Sequence, residues 1–217
     1  MKNDEIHSTI GGELIRKFCS ILTKLLAVNF LTLLFCIPVV TAGAALSAMH
    51  ECLLKIVRGT DAPVGGQFLR AFRANLKQAT LLWLPFLLIF AAALADLFIL
   101  LAAPEVLEPW VSVPAIAAAI AAFLLFQFVM PVQSRFENTP LSILRSAAIL
   151  SVSHFPRTLL MALLWMAPAF LFLKVTLSWP LVLMFGLSVP GYLCAKLYDP
   201  VFLRLEENQE SGEQSGA

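Results

Sequence analysis

Apolar residues in this chain come in long unbroken blocks separated by short polar stretches. Blocks at about 20–40, 79–101, 113–133, 155–175 and 180–198 approach or exceed the roughly 18 residues that separate a membrane span from a buried helix. They do not alternate over ten-residue stretches, so they predict helices and not the strands of a barrel. A shorter block, 41–57, carries Ala44, Ala48 and Cys52 every fourth residue, with Gly43 and Ser47 beside them. Such a small-residue stripe lets membrane helices approach closely.

Two segments read differently. After Asp61-Ala-Pro63, a helix-start signal, Phe68, Leu69, Phe72, Leu76 and Ala79 fall on one helical face, while Arg70, Arg73 and Lys77 lie away from its centre. A basic amphipathic helix of this kind is expected in the headgroup plane. Asn138-Thr-Pro140 opens a similar helix over about 140–153, with only Arg145 as its charge.

The pattern predicts an all-α, polytopic helical membrane protein with about six spans, or five plus a short or re-entrant helix if 41–57 does not cross. Two amphipathic surface helices are expected on the cytoplasmic face. A polar segment, 1–17, precedes a single membrane domain, 18–200, and an acidic, Gln/Ser/Gly-rich tail, 201–217, reads as disordered. Composition agrees: 59% of the 217 residues are hydrophobic and 13% charged, against roughly 25% charged in soluble domains. Mean hydropathy is +0.85.

Charge orients the helices. With six spans, every one of the 15 Lys and Arg residues except Lys174 falls on one side, the cytoplasm by the positive-inside rule. With 41–57 not crossing, Lys2, Arg16, Lys17 and Lys24 join Lys174 outside, so six spans fit better. Both ends of the chain are then cytoplasmic, and the loop with Pro104, Glu105 and Glu108 is outside. Arg16-Lys17 ahead of an apolar run, with Ala42-Gly43-Ala44 after it, resembles a signal peptide. The run from Phe18 to Val40, however, is longer than the roughly 7–15 residues of such a core, which favours a retained span.

The corner between the first two blocks sets this topology. Pro38 allows the first helix to stop, and Thr41 offers an N-cap hydroxyl to the next. Glu51 and Lys55, spaced i, i+4 in the favourable order, are expected to pair. A partial echo links Asp61-x-Pro63 through Lys77, Trp83 and Pro85 with Asn138-x-Pro140 through Arg157, Trp165 and Pro168; a parallel duplication and chance likeness between Leu-rich helices both account for it.

Candidate chemistry is sparse. His50-Glu51 starts like a zinc-protease H-E-x-x-H motif but lacks the second His; His50 and Glu51 are expected at the membrane edge, with no metal. Cys19, Cys36, Cys52 and Cys194 are scattered, without a C-x-x-C pair, and the three inside apolar segments read as small hydrophobes. No nucleophile constellation or phosphate-cradling glycine loop is present, so the chain is read as a non-enzyme without cofactor. A net charge of +1 and the lack of a basic block give no reason to expect nucleic acid. Polar side chains at membrane depth are the default functional candidates. Asn29 and Gln127 fit interhelical hydrogen bonding or a ligand, and Asp96, toward the outer half of its span, fits proton coupling. For Arg70, Arg73, Lys77 and Arg157, lipid anchoring and partner docking are both open.

Asn29, the run Ile37-Pro38-Val-Val-Thr41-Ala-Gly43-Ala-Ala-Leu-Ser-Ala, then Lys55, Phe68, Phe72, Asn75-Leu-Lys77-Gln and Phe155-Pro156-Arg157 resemble the YesL family of bacterial membrane proteins, which is defined by a domain of unknown function. The resemblance implies a plasma-membrane protein without assigned catalytic residues, often encoded beside genes for polysaccharide breakdown and sugar uptake. Partners expected on that basis are the lipid bilayer and subunits of a carbohydrate ABC transporter, with a homo-oligomer as a further possibility. A small permease for a sugar or related solute is the alternative.

Overall fold

The structure is a computed structural model that describes the backbone of residues 2–60, 62–102, 109–136 and 139–215, and the side chains of 12–60, 62–102, 110–136, 139–175 and 177–207. The expected caps Asp61 and Asn138 and the loop residues Pro104, Glu105 and Glu108 lie outside them. The described residues form helices and no strand: α1 (Lys2–Cys36), α2 (Ala42–Val57), α3 (Val64–Ala102), α4 (Pro109–Arg135), α5 (Pro140–Ser153), α6 (Phe155–Lys174), α7 (Trp179–Phe185) and α8 (Ser188–Ser215). Five are long and apolar enough to cross a membrane, or six if the bent pair α7–α8 is one span. The chain is a polytopic helical membrane protein.

The bundle is arranged around α2. Its apolar window is 67% buried, against at most 28% for the other candidate spans, and it packs against α1, α3, α4 and α8. Small side chains make this possible: Ala44, Ala45 and Ala48 are fully buried, with Cys52 beside them. A Cβ on Gly43 would lie 2.7 Å from the carbonyl oxygen of Ala79 and 3.0 Å from Trp83 Cγ, so only glycine admits α3 at that distance. Against α8, Gly191 leaves the room that Leu53 and Met49 occupy.

Three breaks have local causes. After Cys36, Pro38 withholds an N–H, and the chain turns through a 3-10 segment, Val39–Thr41. Between α5 and α6, Pro156 forces a stop at His154, and the Thr158 hydroxyl donates to the carbonyls of Ser151 (2.9 Å) and His154 (3.2 Å). Between α7 and α8 the axis bends by 47°; the Pro190 ring conflicts with the carbonyl four residues back, at Gly186.

Several expectations need correction. The amphipathic segment after Pro63 is not a separate surface helix: α3 runs unbroken through 39 residues, about 58 Å at 1.5 Å per residue, nearly twice a hydrocarbon core of about 30 Å. Its apolar face goes to protein and not to lipid, since Phe68 and Ala71 are buried in the core. The echo between the two halves is therefore incomplete, because the second copy breaks at His154 where the first continues. The first span extends back through residues 2–17, which join α1, and stops at Cys36 instead of Val40. The last span is broken instead of continuous over 180–198. The segment expected to be disordered from 201 continues α8 to Ser215, with Val201 and Phe202 buried.

Candidate functional site

The residues at the corner between the first two blocks act as structural ties. Asn29, 1% exposed, reaches the break in the last span. Its Nδ2 donates to Leu183 O (2.8 Å), and its Oδ1 accepts from the N–H groups of Leu187 and Ser188 (3.0 Å each). One side chain thus meets three of the backbone groups that the α7–α8 break frees. Thr41, expected from sequence to cap α2, does not; its hydroxyl turns back to the carbonyl of Phe35 (3.1 Å), in the last turn of α1, and to that of Pro38 (2.9 Å), which also accepts the Thr41 N–H. Trp83 Nε1 donates to Val39 O (2.8 Å), and its ring packs on Phe126 of α4. The corner is thereby fixed to α3 and α4.

Of the intramembrane polar residues, Gln127 lies between helices, with Nε2 donating to Thr158 O at 3.4 Å. Asp96 stands apart from the other candidates; it is half-buried, and its Oδ2 has no hydrogen-bond partner. His50 is enclosed by protein. It is 5% exposed, shares a 3.2 Å hydrogen bond with the Tyr198 hydroxyl and lies edge-on to Trp165.

The polar functional candidates gather where the ends of α2 and α4 meet the second half of α8. Lys55 Nζ pairs with Glu51 Oε1 at 2.5 Å, as the spacing predicts. Arg58, in the first turn beyond α2, binds Asp199 through Nε (2.7 Å) and Glu206 through both terminal nitrogens (3.2 Å each), the forked geometry that suits guanidinium and carboxylate. Arg135 Nε reaches the same Glu206 at 2.6 Å. Burial would lower the Arg58 pKa, but the hydrogen bonds and charges of Asp199 and Glu206 outweigh it and hold it above the ordinary arginine value. Beside this network opens a cavity of about 930 Å³, lined by Glu51, Lys55, Asn75, Gln133, Arg135 and Thr139 among others. Gln133 Nε2 donates to Asn75 Oδ1 (3.3 Å).

Sequence reading brought Glu51 and Lys55 to this place but missed Asn75, Gln133, Asp199 and Glu206 as site residues and counted Arg58 and Arg135 only as inside charges. No local spacing links residue 58 to 199 or 206. The available signal was that the six-span topology puts all three segments on one side. Arg70, Arg73, Lys77 and Arg157 are exposed and belong to the surface, not to the cavity. No group of three or more His, Cys, Asp or Glu able to hold a metal occurs among the described residues.

Searches among curated proteins and among solved structures give no match for this chain. Residues 25–97, from within α1 through the corner and α2 into the last turns of α3, match a family model described as "Protein of unknown function, DUF624", the family of YesL-like proteins.

Proposed function

We propose that this chain is a non-enzymatic, multi-pass protein of the bacterial plasma membrane that assists a carbohydrate uptake system, docking on a cytoplasmic transporter subunit through the basic face of α3. The observation that carries the docking is the division of that helix. Its apolar side is taken up by Phe68 and Ala71 in the core, so it has no apolar face left to sink into lipid. Arg70, Arg73 and Lys77 point outward and are left for an acidic protein surface, with anionic lipid as the competing occupant. The carbohydrate part rests on the resemblance carried by Asn29 and the Pro38–Ala48 corner. Purification in mild detergent should co-isolate transporter subunits, and Arg70→Glu/Arg73→Glu should abolish this while leaving the protein monodisperse. A protein that purifies alone, or whose partners survive the double charge reversal, would remove the proposal.

The side assignment is part of this reading. The charge asymmetry supports it, and so does the convergence of Arg58, Arg135, Asp199 and Glu206 at one end, since all four belong to segments on one side in the six-span topology. A cysteine at position 60 should react with an impermeant maleimide only after the cells are opened.

A second reading, a small solute permease, is favoured by the broken last span, because discontinuous helices form the binding sites of many secondary transporters. Sugar uptake into vesicles containing only this protein would distinguish it, with Asp96→Asn and Glu51→Gln locating any coupling site.

A further inference from the structure

We propose that the polar cavity between α2, α3, α4 and the start of α5 binds a hydroxyl-bearing phosphate ester, drawn either from a phospholipid headgroup or from a free sugar phosphate. The inference goes beyond the docking proposal and does not depend on it.

Three cations, Lys55, Arg58 and Arg135, stand in the described lining beside Glu51, with Asp199 and Glu206 paired to the two arginines. Arg58 is committed to Asp199 and Glu206 through all its guanidinium nitrogens. Arg135 makes its ion pair through Nε, with no hydrogen bond from its terminal N–H groups among the described residues, and Lys55 uses one of three donors on Glu51. Two cations with donors to spare at the edge of one cavity suit a phosphate, which accepts several charge-assisted hydrogen bonds at once. Thr139 and Pro140 bring the amino-terminal end of α5 into the same wall, where its partial positive charge adds to theirs.

A phosphate alone does not account for the rest of the wall. Gln133 is 4% exposed, its Nε2 is used by Asn75, and its Oε1 has no partner. Leaving a buried amide oxygen unpaired is unfavourable, and a ligand hydroxyl would relieve it. Glu51, on the same cavity, is a second acceptor. Donors to a phosphate and acceptors from hydroxyls therefore occur together. The volume of about 930 Å³ lies within the roughly 300–1,000 Å³ of small-molecule sites. Basic pockets between membrane helices on the cytoplasmic side are also where lipid headgroups dock.

The test has two arms on the full chain. In detergent, the thermal unfolding midpoint is followed against glucose 6-phosphate, with glucose and inorganic phosphate as controls. In nanodiscs of mixed phosphatidylglycerol and phosphatidylcholine, native mass spectrometry reads which lipid is retained. A saturable rise with glucose 6-phosphate alone identifies the free ester, and preferential retention of phosphatidylglycerol identifies the headgroup. In the arm that responds, Lys55→Gln and Arg135→Gln should each weaken binding by about tenfold. Lys55→Gln leaves the Arg58–Glu206–Arg135 network in place, so its loss of binding is not a folding failure. Silence in both arms, an equal response to inorganic phosphate, or wild-type binding by Lys55→Gln would overturn the proposal.

Discussion

Asn29 shows how much one side chain carries in a medium without water. With lipid or protein on all sides, the freed groups of Leu183, Leu187 and Ser188 have no solvent to turn to. Asn29→Leu should therefore lower stability by about 1–3 kcal/mol, read as a lower unfolding midpoint in detergent. A midpoint equal to wild type would mean that other groups satisfy the break. Gly43 makes a different demand, for space. Gly43→Ala forces a methyl against Ala79 O and Trp83, at an expected cost of about 1–3 kcal/mol. Gly65→Ala, with nothing within 4 Å of the added carbon, should be neutral or slightly stabilising. The sequence marked Gly43 by its place in a small-residue stripe; that Trp83 is what fills the space followed only from the packing of α3.

At the scale of elements, α3 departs most from what periodicity predicts. A change from amphipathic to fully apolar pattern near residue 78 reads as the boundary between two helices, yet no proline or glycine interrupts the backbone there. Without a breaker at that point, continuing the helix keeps the backbone hydrogen bonds around residue 78, and the change of pattern records only a change of surroundings. Spin labels at 70 and 94 should lie about 36 Å apart on one continuous helix, against about 27 Å for a right-angle bend at residue 78. Where proline does sit at a change of pattern, at Pro38 and Pro156, the boundary was legible, and the break fell within a few residues of the expected place. The break at Gly186–Leu187 was not recognised, because the apolar run continues on both sides of Ser188 and Pro190 without a change of pattern.

For the whole molecule, the ion network joins three chain segments and predicts unequal consequences for its members. Arg58 serves two carboxylates and its side chain is 24% exposed, whereas Arg135 serves one and is 45% exposed. Arg58→Ala strands Asp199 and half of Glu206's partners and should cost about 2 kcal/mol. Arg135→Ala should cost less than about 1 kcal/mol. Chemical or thermal unfolding of the two variants in the same detergent measures the difference, and equal losses would show that the network is held mainly through Glu206.

The sequence by itself determined the medium, the class of element and the approximate number of crossings, because these follow from local runs of apolar residues and from where the positive charges fall. It also marked α2 as a helix to be buried, since a four-residue repeat of small side chains has a physical purpose only against other helices. The tertiary structure alone decided which polar groups meet. Asn29 with the α7–α8 break, His50 with Tyr198, and Arg58 with Asp199 and Glu206 are each separated by more than 140 positions, and nothing in local spacing encodes such pairs. They arise because a protein in lipid must satisfy its buried polar groups within itself, and the helix packing sets which groups come within reach.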